Sequence, residues 1–473
     1  MYSLNRQPLL ELLSQKEIDD IHYAGLEILE DTGVDIFCRE TRALLRDAGA
    51  YVNGNNVKIP SFLVEDAIRS APSKVAMHDR LGNRAMVLER NAAYFGTGSD
   101  LLYAVDSESG NRRFAEYDDV ARAARLSDAL PNIDFVMSYA MPQGDKEGAE
   151  LIQLRRMLEN TVKPLVMTVY SDKRILHGMI EMCRTVAGGK EALIQKPMLC
   201  VYGQFISPLT HHKEGLDRLL VCAENMMPVI YVPTILAGAS GPATIAGAVA
   251  LGNAETLAGL TIGQLKRKGS PFIYGGCVSS FDMLKMALPY GSPEWQIANG
   301  ALCQLARRYG LPVFATGGCT DSKVFDSQAA AEGAFSLLMS ALTGGNLIHD
   351  VGYMEGGLTG SLAYLAFCDE MIGYVKRVLR SFTVNDETLA LKLIKNAGPH
   401  GDFLSEEHTL KHYKNETWYP GLFDRNGYEA WEAEGKITAE ERAVLKARRL
   451  LDSHEPKPLD EKIIIELDKL SAM

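Results

Sequence analysis

Hydrophobic and polar positions follow a repeating beat in the middle of this chain. Five times a proline opens a short, unbroken apolar run that ends in a turn: the runs occupy 164–170, 197–202, 228–232, 271–274 and 312–315. Successive prolines lie 33, 31, 43 and 41 residues apart, and each gap holds a helix-like segment. A short run without polar alternation suits a strand buried on both faces, as in a parallel sheet. Proline is tolerated at a strand's first residue, where a ladder donor can be spared. The spacing fits a strand, a helix and two loops, so the beat predicts repeated βα units.

Two further strands, at 94–98 and 133–139, precede the five, and one at 346–351 follows. Helices are predicted to begin near Tyr117, Gly148, Ser171, Glu214, Pro242, Pro293, Asp326 and Gly360. The expected fold class is α/β, a (β/α)8 TIM barrel over 92–380 with its chemistry at the strands' C-terminal ends. The Ala- and Gly-rich stretch 242–268 suits a helix packed closely against neighbours. Residues 1–91 read as an N-terminal helical cover: Ser14 and Glu17 form a capping-box pattern, and Ile18, Ile21, Gly25, Ile28 and Leu29 then share a helical face. Gly33 is a C-cap candidate, and further helices are expected over 40–48 and from Ser61. Residues 381–473 turn polar and charged and read as a C-terminal helical appendage, with a helical run at 439–451.

Charge and cysteine usage narrow the function. Lys and Arg number 49 against 60 Asp and Glu, a formal net charge of −11, which argues against a nucleic-acid partner and mildly favours a cationic small substrate. No apolar run approaches the roughly 20 residues needed to span a bilayer, and residues 1–8 lack a signal-peptide core. The eight cysteines form no Cys-x-x-Cys pair, which fits reduced thiols in a cytoplasm rather than a disulfide frame or zinc cage. No tightly bound metal or nucleotide is expected; the glycine pairs match neither phosphate-loop pattern.

Aromatic side chains, chiefly tyrosines, stand at or near most predicted strand tips, and Gly-Gly-Cys recurs after strands six and seven. Strand alternation turns about half of the tyrosines outward; the remainder could form a cage whose ring faces attract a cation. His349, on strand eight, is either a histidine satisfied within the core or a functional group. In regular strand geometry His349 and Asp350 point to opposite sides. Cys319 has no charged sequence partner to lower its pKa and reads as a buried thiol, and His211-His212 lacks a carboxylate at metal spacing.

Three strings carry a resemblance: Thr316-Gly-Gly-Cys-Thr-Asp-Ser-Lys323, Asn346-Leu-Ile-His-Asp-Val-Gly-Tyr353 and Leu358-Thr-Gly-Ser361. With Val384-Asn-Asp-Glu387 and Phe403-Leu-Ser-Glu-Glu-His-Thr-Leu410, they resemble the trimethylamine methyltransferase family over nearly the whole chain. The archaeal trimethylamine enzymes carry pyrrolysine, whose position would fall in or near 316–323; this chain has only standard residues and so resembles the non-pyrrolysine branch, which acts on quaternary amines. The resemblance implies methyl transfer from a quaternary amine, glycine betaine first, to the Co(I) of a corrinoid (cobalamin) on a separate protein, in a homo-oligomeric enzyme of one-carbon metabolism. Proline betaine, carnitine or another trimethylammonium compound is the nearest alternative. On this reading Phe95, Tyr103, Tyr139, Tyr231 and Tyr274 surround the cation, and His349 holds the betaine carboxylate. His349 and Asp350 are the catalytic candidates. Gly276, Gly317, Gly318, Cys319, Thr320 and Asp321 lie toward the corrinoid. Two readings outside this chemistry stay open: a hydrolase or lyase using His349 with Asp321 or Asp350, and a non-catalytic quaternary-amine binder.

Overall fold

In the computed structural model, residues 8–106, 109–142 and 148–471 are described; residues 1–7, read above for a signal segment, lie outside them. Eight parallel strands follow one another around a barrel: β1 (Tyr94–Phe95), β2 (Val136–Met137), β3 (Leu165–Thr168), β4 (Leu199–Phe205), β5 (Val229–Ala237), β6 (Phe272–Gly275), β7 (Val313–Thr316) and β8 (Leu347–His349). Each pairs with its chain neighbour, β8 pairs with β1, and a parallel bridge between Gly96 and Phe135 closes the circle. At that seam a Cβ on Gly96 would stand 2.5 Å from the Phe135 ring, so only glycine lets β1 and β2 meet.

The eight helices between the strands are α1 (Tyr117–Ala129), α2 (Ala149–Asn160), α3 (Lys173–Ala187), α4 (Lys213–Asn225), α5 (Ile245–Lys266), α6 (Pro293–Tyr309), α7 (Ser327–Leu342) and α8 (Leu362–Arg380). Their starts lie within three residues of the predicted ones. Caps explain several: Ser292 precedes Pro293 at the first turn of α6, and Asp326 accepts from the Ala329 amide at α7, each satisfying a free helix donor. Helix α5 is apolar and long enough to cross a membrane, yet 83% of its most apolar window is buried inside the protein.

The N-terminal cover is more than helical. Helices Gln15–Glu27, Arg39–Asp47 and Ser61–Ser70 are joined by strands Val34–Ile36, Tyr51–Asn53 and Asn56–Lys58. Val34–Ile36 also pairs with Thr210–His211 in the loop after β4. A hairpin, Val75–His78 with Arg84–Leu88, pushes Val75, Met77, Met86 and Leu88 among the barrel's interior residues. The His78 and Arg80 amides donate to the Pro197 and Val162 carbonyls, just ahead of β4 and β3. The hairpin therefore plugs the N-terminal end and leaves the C-terminal mouth for chemistry. Downstream of α8, helix Ala439–Ser453 packs on α8, where Lys446 reaches the buried Asp369 at 2.9 Å, and Asp468 of helix Glu461–Ser471 pairs with Arg155 of α2.

Candidate active site

Alternation along the strands sorts the barrel wall into two sets. Phe135, Met137, Val166, Cys200, Tyr202, Ile230, Val232, Ile273, Phe314 and Leu347 pack together inside. Tyr231, Tyr274, Phe95 and Val201 belong to the layer between strands and helices. Continuing the inner set toward the mouth brings Thr168, Tyr202, Thr316 and His349 to the floor of the site.

His349 lies flat on Phe314, with ring centroids 3.8 Å apart and planes within 7°. Its Nε2 meets the Thr316 hydroxyl at 3.1 Å. Its Nδ1 stands 2.8 Å from Asp350 Oδ1, off the line of an aligned hydrogen bond. The expectation that His349 and Asp350 point to opposite sides is overturned: β8 ends at His349, and Asp350 takes a left-handed φ of 71° that returns its carboxylate to the imidazole. Gly98 makes room for it; a Cβ there would stand 2.0 Å from Asp350 Oδ1. Thr316 thus engages one His349 nitrogen, while the other lies beside the Asp350 carboxylate without an aligned hydrogen bond.

A second carboxylate joins the first. Asp100, beyond β1, also has a left-handed φ of 71°. It accepts from Ser99 Oγ at 2.6 Å and from the Tyr170 hydroxyl. Burial pushes its carboxyl up to about 6; the two hydrogen bonds oppose that rise, the Asp350 charge adds to it and His349 counters it. Around the two carboxylates stand Tyr202, Tyr290 and Tyr353, whose hydroxyls burial keeps protonated and on which both carboxylates act electrostatically. Tyr290 is held over the mouth: its amide and that of Gly291 donate to Asp321, each at 2.9 Å, and its ring stacks on Trp295 at 4.3 Å. Tyr353 donates to the Tyr139 carbonyl at 2.7 Å.

The five aromatics expected to form one cage do not converge. Tyr231 turns outward to His211, its hydroxyl 3.0 Å from Nδ1, and Tyr274 donates to Asn253 of α5 at 2.8 Å. Phe95 also faces the helix layer, with the Lys376 ammonium 5.6 Å from its ring. Tyr103 sits in a small sheet beside the mouth (Tyr103–Val105, Arg112–Phe114, Tyr353–Met354, Thr359–Gly360). The Arg112 guanidinium already lies 3.3 Å over its ring, and Phe114 stacks on it. Tyr139 stays at the tip of β2, edge-on to Tyr353 at 5.9 Å. Pro-flanked runs buried on both faces carry no polar marker of parity, so the sequence could not say which tyrosines point inward.

The glycine-rich turns also have structural duties. Gly317 and Gly318 lie against α7, and Gly276 packs on Pro233 and Leu302. Cys319 is fully buried beside Asp350, its thiol pushed well up by burial first and by that charge. Thr320 donates to Glu332 at 2.5 Å, and Asp321 braces the Tyr290 loop. Sequence reasoning passed over Asp100, Tyr170, Tyr202, Tyr290 and Tyr353. The first three and Tyr353 were legible as strand-tip residues; Tyr290 sits in a loop with no such signal.

Comparison with known proteins agrees with this architecture. The family model for trimethylamine methyltransferase matches residues 2–472. The trimethylamine methyltransferase MttB of Desulfitobacterium hafniense is 32% identical over 456 residues, 96% of this chain and 92% of that protein. A glycine betaine methyltransferase of the same species is 30% identical over 470 residues, covering 98% and 97%. MttB1 of Methanosarcina mazei is 31% identical, covering 97% and 94%. Among solved structures, the hydroxylamine complex of MtmB superposes with a TM-score of 0.52 over 95% of this chain and 89% of that one, at 12% identity, a likeness of fold alone. The chain is a methyltransferase and belongs to the trimethylamine methyltransferase family.

Proposed function

We propose that this protein takes a methyl group from a quaternary ammonium compound and delivers it to the cobalt of a corrinoid protein. The observation that carries the reading is the mouth itself, where Tyr202, Tyr290 and Tyr353 gather about the Asp100 and Asp350 carboxylates, a negative and aromatic cluster of the kind that attracts a cation. Ring faces contribute about 2 kcal/mol each to a desolvated cation. The chemistry asks little else of the chain. A quaternary nitrogen keeps the C–N bonding pair and leaves as a neutral tertiary amine, so it needs no proton. A corrinoid on the partner would supply, when bound, the electron pair for the new bond to the methyl carbon. The residues' work is to bind the cation, aim one methyl at the opening and exclude water, which is catalysis by positioning.

The rim suits a protein partner. Exposed Ile206, Met283, Leu284, Met286, Val324 and Leu358 all stand on loops that follow β4, β6, β7 or β8, hence on the mouth face. Such a ring of apolar side chains marks a contact surface. The hydrolase or lyase reading would use His349 with Asp321 or Asp350, and of these Asp321 is engaged by the Tyr290 and Gly291 amides.

The test is absorbance of Co(I) cobalamin mixed with the protein and glycine betaine, proline betaine, carnitine, choline or trimethylamine. Methylcobalamin formed from a quaternary member supports the reading. Silence across the panel, repeated with a cognate corrinoid protein, refutes it.

The oligomer has its own support. Helices Asp386–Leu389, Leu391–Ala397, Glu407–Glu416 and Tyr428–Ala433 bury no residue, while Phe382, Leu391, Leu404, Leu410 and Tyr428 are exposed. So many exposed apolar side chains along one segment mark a contact surface. A second copy of the chain covers this arm on our reading; Leu404→Glu with Leu410→Glu then reduces the mass measured by light scattering, and an unchanged mass refutes it.

A further inference from the structure

The charge of the mouth is one-sided. Asp100 and Asp350 face it, and His349 has both nitrogens against protein atoms. The basic side chains described nearby are engaged elsewhere. Arg112 lies on Tyr103 and pairs with Glu355 at 2.8 Å. Lys323 donates to the Asp321 carbonyl at 2.7 Å on the exposed side. Arg218 of α4 donates to the Tyr170 carbonyl at 3.3 Å and packs against Gly203 and Tyr231, in the layer behind the wall. A glycine betaine zwitterion brings a carboxylate of its own into this mouth. It would meet like charge from Asp100 and Asp350.

Resting on the proposed quaternary-amine reading, we infer that Asp100 and Asp350 are specificity-determining residues that select ammonium substrates lacking a carboxylate. The chemical class is a net cation, such as tetramethylammonium or a trimethylammonium alcohol, rather than a betaine. Asp350 is fixed by His349 and the Gly98 gap, and Asp100 by Ser99 and Tyr170, so neither can swing aside to admit an anion. A tenfold preference asks for only about 1.4 kcal/mol of such repulsion.

Isothermal calorimetry with tetramethylammonium, choline, glycine betaine and carnitine tests this on the wild-type protein and on Asp100→Asn and Asp350→Asn. The expected result is tetramethylammonium or choline binding at least about tenfold tighter than glycine betaine, with the ratio collapsing toward one in either variant. The ratio is the discriminating readout, because structural damage weakens both ligands alike whereas loss of charge weakens the cations and spares the betaine. If glycine betaine binds as tightly as the cations, or the ratio survives both substitutions, the inference fails while quaternary-amine binding stands. If no quaternary compound binds and none yields methylcobalamin, the proposed function fails and the inference with it.

Discussion

Replacing Asp100 by Asn removes a carboxylate that the fold holds at a cost. Its carboxyl titrates at about 6, against an ordinary 3.8, chiefly because of burial. The sign follows directly: a folded-state pKa raised above the unfolded value means that the folded protein binds the proton more tightly. Stability therefore falls as pH rises from about 4 to 6 and levels off above that. A gap of about two units corresponds to about 3 kcal/mol; the mouth is partly open to water, and screening there reduces the figure to about 1–2 kcal/mol. The groups facing Asp100 are Ser99, Tyr170, Asp350 and His349, with Tyr202, Tyr290 and Tyr353 nearby. Burial keeps the tyrosines protonated throughout, and Asp350 and His349 are present in both proteins, so the difference between wild type and Asp100→Asn isolates one carboxyl. Urea unfolding followed by circular dichroism should find the variant more stable by about 1–2 kcal/mol at pH 7.5 and the difference gone near pH 4. Tetramethylammonium at about 100 times its Kd should add about 2.7 kcal/mol to the wild type and markedly less to the variant. A variant no more stable than wild type at pH 7.5, or a difference independent of pH, would refute the assignment of Asp100 as a half-buried, cation-seeking carboxylate.

Other substitutions separate the site from its scaffold. Gly98→Ala places a Cβ 2.0 Å from Asp350 Oδ1 and 2.7 Å from the Tyr353 ring; it should cost about 1–3 kcal/mol by overpacking and abolish calorimetric cation binding. Tyr231→Phe deprives buried His211 of its one hydroxyl partner, leaving both ring nitrogens unpaired. We expect a loss of about 1–2 kcal/mol in denaturant unfolding with ligand affinity within about twofold, because Tyr231 lies outside the lumen; a tenfold loss of affinity would return it to the site. Cys319 is fully buried and its thiol is pushed up, so iodoacetamide should leave it unlabelled in the native protein and modify it in guanidinium, as read by peptide mass spectrometry. Rapid native labelling would contradict its burial.

Strand order, helix starts and the mouth as the place for chemistry were legible because proline and glycine punctuate the βα units so regularly. Parity was not. Ile230-Tyr231-Val232 offers no contrast between a side facing the lumen and a side facing helices, since both are apolar; tertiary packing alone turns Tyr231 toward Gly215 and Gly259, which make room for it. The hairpin at 75–88 was overlooked although Val75–His78 alternates buried and half-buried positions with period two. Four residues are too short a run to stand out beside a strong helical pattern. The convergence of His349 and Asp350 had no signature either, because a left-handed aspartate is uncommon and its neighbours do not announce it.

That same backbone feature explains why the acidic pair arises where it does. Left-handed φ values occur at Asp100, Tyr139 and Asp350, at 71°, 61° and 71°, and these three follow β1 and β2, which meet at the closing seam, and β8, which pairs with β1. Those strands are short, with two, two and three residues in their ladders, against seven and nine in β4 and β5. A long strand must keep extended geometry to its tip, and its side chains then alternate between lumen and helices. A strand that stops early releases its next residues to turn, at about 1–2 kcal/mol for each left-handed residue. The turn at Asp350 returns a carboxylate to the lumen that alternation would have sent outward. Seam shortness and mouth charge are therefore one device: the barrel gives up ladder at its weakest joint, and the residues so freed supply the negative field that a bound cation would meet.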